Sequence, residues 1–336
     1  MIGISGFVAF LQRDSISPNH LKSLVVVFGI ASIGVASYFY RKWLANRPPK
    51  SWRLVGEIGE IFCYPIKSCA PMRITNNIEC TKLGLQNGVL RERVFVIVTK
   101  SYTTLSAQPK LLLIQPNITG ETLILSAPSM PDFHLNISQL YQTEQAITHA
   151  QHPSGTIDCG AEVAVWLSKF ISGNEEGNRL VFYPDNDSIR NDRNERLKLE
   201  STGLVQLPNE FQGFMMLNAE SVNDLNTRIE EPVVPLIFRP NFVVNGASAY
   251  DEDNWKWVRI GDNLTFKYTG PCLRCYVVTM DPTKGVLNKG QEPLKTLKSY
   301  RCVDTCKSPV MGMYLLLMSN GGSVRSGDAV YVGCDE

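Results

Sequence analysis

From Val55 to Val332 the chain is a succession of short apolar runs separated by turn signals, a pattern that confines it to a mostly β fold. Val55 to Tyr64, Val94 to Val98 and Leu111 to Gln115 have strand length, and Leu123 to Ser126 and Phe133 to Ile137 continue the series. Gly120-Glu121 falls between two of these runs as a hairpin turn. Later runs cover Phe242 to Asn245, Leu264 to Tyr268, Tyr276 to Met280 and Tyr314 to Met318. The last, Ala329 to Val332, follows a Ser326-Gly327-Asp328 turn. Two segments change period. Asp158 caps a helix whose apolar positions Val163, Trp166, Leu167, Phe170 and Ile171 recur at helical spacing, and Ser172-Gly173-Asn174 ends it. A second helix fits Ala219 to Ile229, with Val222, Leu225 and Ile229 on one face. The polar stretch Pro184 to Glu200 divides the chain, and 336 residues at roughly 150 per domain suggest two domains. Its Asp185-Asn186-Asp187 lacks the glycine that a calcium loop needs at its sixth position, so it reads as a solvated loop.

With 33 basic and 32 acidic residues, a net charge of +1 and no basic stripe, the chain is not built to hold nucleic acid by its phosphates. A hydrophobic content of 44% supports a full core and excludes disorder throughout. The 4 histidines leave little room for a histidine-rich metal site, and 9 cysteines, an odd number, exclude a fully paired disulfide framework. Sequons at Asn117, Asn136 and Asn263 would suit a secreted glycoprotein. They lie in strand-like apolar surroundings, and a reducing compartment is expected.

Leu24 to Tyr40 contains no charge. At ~1.5 Å per residue, a helix there spans ~25 Å, slightly short of an average bilayer core. Tyr38, Tyr40 and Trp43 form an interfacial aromatic cluster, and Arg41, Lys42, Arg47 and Lys50 supply a basic flank. A signal peptide cleaved near Gly34-Val35-Ala36 would need a long leading segment. A buried core helix fits poorly beside Pro48-Pro49. An uncleaved membrane anchor is therefore expected, with the chain beyond residue 45 in the cytosol.

Three clusters could carry chemistry. Cys272 and Cys275 form a C-x-x-C and Cys302 and Cys306 a C-x-x-x-C, which together invite a four-thiolate zinc site. The second spacing is unusual, and no glycine knuckle surrounds either pair. A redox pair would need a strand-to-helix setting, whereas Tyr276 to Thr279 reads as continued strand. Any one of these cysteines is ordinarily a buried, inert side chain. Arg274 raises Cys275 above that default, because positive charge favours the thiolate that a soft metal takes. The second cluster pairs Tyr64-Pro65-Ile66-Lys67-Ser68-Cys69 with Arg91-Glu92-Arg93. A lysine, a hydroxyl and an arginine fork suit a phosphate dianion; surface salt bridges are the plain alternative. In the third, Phe238-Arg239-Pro240-Asn241 enters an apolar strand. An unpaired arginine is costly there, so Arg239 needs either an internal carboxylate or an anionic ligand.

Taken together, these blocks resemble the mitochondrial amidoxime-reducing components, molybdenum-cofactor enzymes of the sulfurase carboxy-terminal (MOSC) superfamily. The likeness runs from about Val55 to Val332. It rests on Tyr64 to Cys69, Leu90-Arg91-Glu92-Arg93, Asp158-Cys159-Gly160, Phe238 to Asn241 and Cys272 to Cys275. Asp281-Pro282-Thr283-Lys284-Gly285, Glu292 to Leu297 and Tyr300-Arg301 follow in register. The resemblance implies an α+β, mostly β fold. Residues 1–50 would hold a membrane-anchor helix at about 24–40, residues 51–176 a MOSC N-terminal β-barrel domain, and residues 177–336 a MOSC β-barrel domain. It also implies that Cys275 ligates molybdenum, and that Lys67, Ser68 and Arg93 hold the pterin phosphate. Arg239 and Asn241 would contact the pterin, with Tyr314 nearby. Ahead of the second helix, where the family carries a short hydroxyl-bearing pair, this chain has Phe211-Gln212, and Gln212 is expected to offer an amide hydrogen bond instead.

The implied reaction removes oxygen from the N–O bond of amidoximes, hydroxylamines or nitrite, leaving the reduced nitrogen compound and water. No Gly-x-Gly-x-x-Gly or other flavin, haem or nicotinamide signature is present, so electrons must come from outside. The resemblance points to cytochrome b5 and NADH-cytochrome b5 reductase on the mitochondrial outer membrane, facing the cytosol. Peroxisomal and endoplasmic-reticulum anchors look alike. No pyridoxal-phosphate desulfurase domain fits in this chain, which argues against cofactor sulfuration. A non-catalytic carrier of the molybdenum cofactor or of sulfur, and a zinc-stabilised membrane-tethered binding module, are the competing readings.

Overall fold

The longest strand, Trp52–Cys63, pairs with two others in succession and thereby closes a barrel. Its first half lies antiparallel to Ala329–Gly333, with Trp52 opposite Gly333; its second half lies antiparallel to Phe242–Asn245, with Ile61 opposite Phe242. The order continues through Phe214–Asn218, Val310–Leu317, Leu264–Leu273 and Trp257–Ile260 back to Ala329–Gly333, seven strands in all. Phe214–Asn218 and Phe242–Asn245 run parallel, and the helix Ala219–Asn226 begins their crossover. Asn218 caps that helix by accepting from the Glu220 N–H at 3.1 Å. A Cβ on Gly56 would overlap the Asn245 carbonyl oxygen, so only glycine lets the first strand approach the closing strand this nearly. Phe214, Phe242 and Phe266 fill the barrel with ring centroids 5.5, 5.3 and 5.9 Å apart. Burying each ring contributes ~1.5–3 kcal/mol, and the offset and edge-to-face packing adds to it.

The computed structural model describes residues 47–74, 76–101, 108–142, 146–149, 152–183, 213–302 and 308–334, together with positions 34, 37, 38 and 40. Almost all of the expected anchor, the stretch Pro184 to Glu200, Phe211-Gln212 and Cys306 lie outside these residues. Among the described residues, no helix is long and apolar enough to cross a membrane.

A second β-rich body has its own core. Its main sheet orders Ala146–His149, His152–Asp158, Asn178–Phe182 and Phe95–Thr99, all antiparallel. The helix Ala161–Ser172 buries Val163, Trp166, Leu167 and Ile171 in that core. A three-stranded sheet of Gln115–Thr119, Thr122–Ser126 and Phe133–Asn136 contributes Leu123, Leu125 and Leu135. The Gly120-Glu121 hairpin forms as expected, with Thr119 opposite Thr122. Strand pairing crosses the middle of the sequence in both directions. Trp52–Cys63 joins the carboxy-terminal strands, while Asn178–Phe182 pairs with Phe95–Thr99, Leu180 opposite Ile97.

Three local expectations are corrected. Leu111 to Gln115 is not a strand: Pro109–Leu113 forms a 3-10 turn that Pro109 starts, with the Leu111 N–H donating to Gln108 O at 3.0 Å. Tyr276–Thr279 is likewise a 3-10 turn, closed by Val278 N–H to Cys275 O at 3.2 Å. The Thr279 hydroxyl draws it tighter by donating to Tyr276 O at 2.7 Å. The long helix is capped by Gly160 at φ 102, not by Asp158, whose carboxylate accepts instead from the Gly160 N–H and from Arg179 Nη2.

Candidate functional site

The chain leaves the barrel at Cys63 and binds at once to the second body. Phe95 N–H donates to Pro65 O at 2.9 Å and Lys67 N–H to Phe95 O at 3.0 Å, which pins Lys67-Ser68 beside the strand Phe95–Thr99. The Arg93 N–H donates to Tyr64 O at 2.7 Å from the other side. Arg239 follows the 3-10 turn Pro235–Phe238 and donates its N–H to Leu236 O at 2.9 Å. Ser68, Arg93 and Arg239 all occupy the left-handed region, at φ 69, 50 and 53. A side chain held there costs ~1–3 kcal/mol, so the surrounding hydrogen bonds must impose the conformation.

The guanidinium of Arg239 lies over the Tyr64 ring, 4.3 Å from its centroid. Among the described residues it has no carboxylate at ion-pair distance. Burial lowers its pKa, Tyr64 opposes the shift and the charge of Arg93 reinforces it. The Tyr64 hydroxyl is itself fully buried and has no hydrogen-bond partner among the described residues. Burial pushes its pKa up. A half-buried cation without a carboxylate partner, next to a tyrosine with an orphaned hydroxyl, suits an anionic, acceptor-rich ligand.

The Arg91-Glu92-Arg93 segment is buried, which removes the surface-salt-bridge alternative. Arg91 Nη2 donates to Tyr183 O at 2.8 Å and braces the second body. Asn241 has its side chain fully engaged: Oδ1 accepts from Met215 N–H at 3.0 Å, and Nδ2 donates to Phe62 O and to Glu92 Oε2, both at 3.2 Å. It ties the segment that follows Arg239 to Met215, Phe62 and Glu92. Tyr314, half-buried on Val310–Leu317, lies within electrostatic reach of Arg274 and Arg93; burial first, then Cys272, pushes its hydroxyl pKa up.

Cys275 presents an exposed thiol where the barrel strand gives way to the 3-10 turn. Arg274 does not lean on that thiol. Its buried guanidinium donates from Nε to Met311 O at 2.8 Å, from Nη1 to Phe238 O at 2.9 Å, and from Nη2 to Met311 O. Arg274 thus ties the cysteine's loop to Phe238, the residue before Arg239. Cys272 is buried in the core cluster that holds Met215, Leu217 and Met311 and faces the Tyr314 hydroxyl, whereas Cys275 and Cys302 are exposed. No group of three or more His, Cys, Asp or Glu among the described residues could hold a metal, which leaves the zinc reading without a site there.

A cleft of about 710 Å³ opens beside Arg239. Phe62, Leu236, Ile237, Val277 and Met280 give it an apolar wall. Gln212 lies outside the described residues, immediately before Gly213 and the strand Phe214–Asn218. The supports Tyr64, Glu92 and Arg274 were not singled out for these roles from sequence. Their signal was a charged or hydroxyl-bearing side chain set within apolar text, as in Val89-Leu90-Arg91-Glu92-Arg93-Val94-Phe95.

Residues 55–174 match the MOSC N-terminal beta barrel domain and residues 207–331 the MOSC domain. Mitochondrial amidoxime-reducing component 1 of Mus musculus is 34% identical over 339 residues, 97% of this chain and 96% of its own length. The Homo sapiens protein of that name is 32% identical over 342 residues, 98% of each chain. Mitochondrial amidoxime reducing component 2 of Bos taurus is 35% identical over 304 residues, 86% of this chain and 87% of its own. With both domains matched and this identity sustained over nearly its whole length, the chain belongs to the mitochondrial amidoxime-reducing component family.

Proposed function

We propose that this chain is a molybdenum-cofactor-dependent reductase of N-hydroxylated and N-oxygenated compounds, with amidoximes and hydroxylamines as first substrates and nitrite as a further one to test. One observation carries the reading: Arg239 is half-buried at the cleft with no carboxylate at ion-pair distance among the described residues, over the ring of Tyr64, whose hydroxyl is orphaned. That arrangement fits the cofactor's anionic, heteroatom-rich body. Lys67, Ser68 and Arg93 would take its phosphate, Arg239 its pterin face with Tyr314 nearby, and the exposed Cys275 thiol its metal. Asn241 ties down the segment that follows Arg239, and Gln212 would add an amide contact. When bound, the cofactor supplies the two-electron reduction that breaks the N–O bond. The apolar wall of the cleft would receive the organic part of the substrate.

Electrons would come from cytochrome b5 and its NADH-dependent reductase. The relatives are named as mitochondrial, and an anchor at about 24–40 would place this chain on the outer membrane with its catalytic part in the cytosol. The deciding experiment is metal analysis of the purified full chain, followed by benzamidoxime-dependent NADH oxidation with cytochrome b5 and its reductase. One molybdenum and no zinc per chain, with turnover, is expected. Bound molybdenum without turnover would instead identify a cofactor carrier, and zinc alone a binding module.

The orientation is tested separately. Protease added to intact organelles should release the soluble part, and Asn117, Asn136 and Asn263 should stay unglycosylated. Full protection from protease, or mobility sensitive to glycosidase, would sink the topology.

A further inference from the structure

Glu92 lies between the two arginines of its motif and is 2% exposed. Its side chain turns inward and joins three elements. Oε2 accepts from the Tyr64 N–H at 3.0 Å and from Asn241 Nδ2 at 3.2 Å, while Oε1 meets Arg93 Nε at 3.3 Å. Tyr64 continues the first barrel strand, Asn241 precedes the closing strand, and Arg93 occupies a left-handed turn of the second body. A buried carboxylate is costly unless its charge is met; here two donors occupy Oε2, while Oε1 accepts no hydrogen bond among the described residues and is met by the Arg93 guanidinium as an ion pair.

The structure assigns Glu92 as the positioning residue that holds the Arg93 guanidinium ready for a phosphate dianion. The assignment rests on the proposed role of Arg93 in gripping the cofactor's phosphate. In Glu92→Gln the amide oxygen can still accept from Tyr64 and Asn241, but the amide nitrogen then faces Arg93 as donor against donor. The ion pair with Arg93 is lost. Removing a partner that orients a ligand-binding side chain typically weakens binding about 10–100-fold.

The test uses the full chain made in a host without molybdopterin, titrated with inorganic phosphate. Glu92→Gln should raise Kd about tenfold or more, with little change in the unfolding midpoint. It should add almost nothing in an Arg93→Ala background, because the effect runs through Arg93. In the wild type, the Arg93 Nε–H should exchange with water more slowly than those of exposed arginines. This NMR readout does not depend on the variant folding. An unchanged Kd for Glu92→Gln, equal weakening with and without Arg93, fast Nε–H exchange, or no phosphate binding by the wild type would each overturn the assignment. A wild type that binds phosphate through this pair, yet carries no molybdenum from a competent host, would sink the proposed function and leave the role of Glu92 standing.

Discussion

Cys275→Ser should abolish molybdenum-dependent reduction, while Cys272→Ser should retain most of it. A hydroxyl is a poor substitute for a thiolate toward a soft or borderline metal. Cys275 is exposed, on the loop that Arg274 ties to Phe238, the residue before Arg239. Lys67, Ser68, Arg93 and Arg239 are untouched by the substitution, so some cofactor should remain bound, and activity should fall further than molybdenum content. Cys272 is 2% exposed and lies in the core cluster that holds Met215, Leu217 and Met311. Serine there keeps the Tyr314 hydroxyl as a polar partner, so the cost in stability should be small, on the order of 1 kcal/mol, with little effect on turnover per folded molecule. Molybdenum content, NADH-driven benzamidoxime reduction and unfolding midpoints should be measured on both variants. Equal loss of activity and metal in the two would point to one shared metal site and withdraw Cys275 as sole ligand.

Arg274→Met should be the most destabilising single change near the site. The guanidinium is 7% exposed and serves the carbonyls of Met311 and Phe238, which lie on a barrel strand and on the turn that delivers Arg239. Methionine fills much of the volume but orphans both acceptors. At ~1–3 kcal/mol for each unsatisfied buried carbonyl, the loss should be on the order of 2–6 kcal/mol. Arg274→Lys should recover less than half of it, because one ammonium cannot reproduce the planar fork that reaches both carbonyls. Urea unfolding of the three proteins gives the numbers, and a loss under about 1 kcal/mol in Arg274→Met would contradict the clamp. Folded Arg274→Met should also retain less cofactor, since the loops of Cys275 and Arg239 are no longer tied.

Much of this protein was legible in its sequence, because the signals concerned are local. Strand-length apolar runs, the helix carrying Val163, Trp166 and Leu167, and the left-handed stop at Gly173 depend on near neighbours and appear where expected. The motif blocks that carry the family likeness are local as well. Sequence also posed the right question about Arg239, a charge entering an apolar strand. It could not answer it, since the answer depends on which side chains arrive from elsewhere. Periodicity failed at Leu111 to Gln115 and at Tyr276 to Met280, where 3-10 hydrogen bonds and a threonine hydroxyl outweigh strand-like composition.

Only the tertiary structure decided how the barrel closes. Trp52–Cys63 finds its partners Phe242–Asn245 and Ala329–Gly333 far along the chain, and no periodicity encodes pairings at such separation. The same is true of the supports. Arg274 reads in sequence as a charge for the neighbouring thiol, yet its fork is drawn off by carbonyls that the barrel brings up, those of Phe238 and Met311. Glu92 reads as half of a surface salt bridge, yet folding buries it against Tyr64 and Asn241. The sequence determined which residue types were at hand and the local shapes of their segments. The fold decided which buried charges found partners, because in a low-dielectric interior each must be met by whatever donor or acceptor topology places within reach.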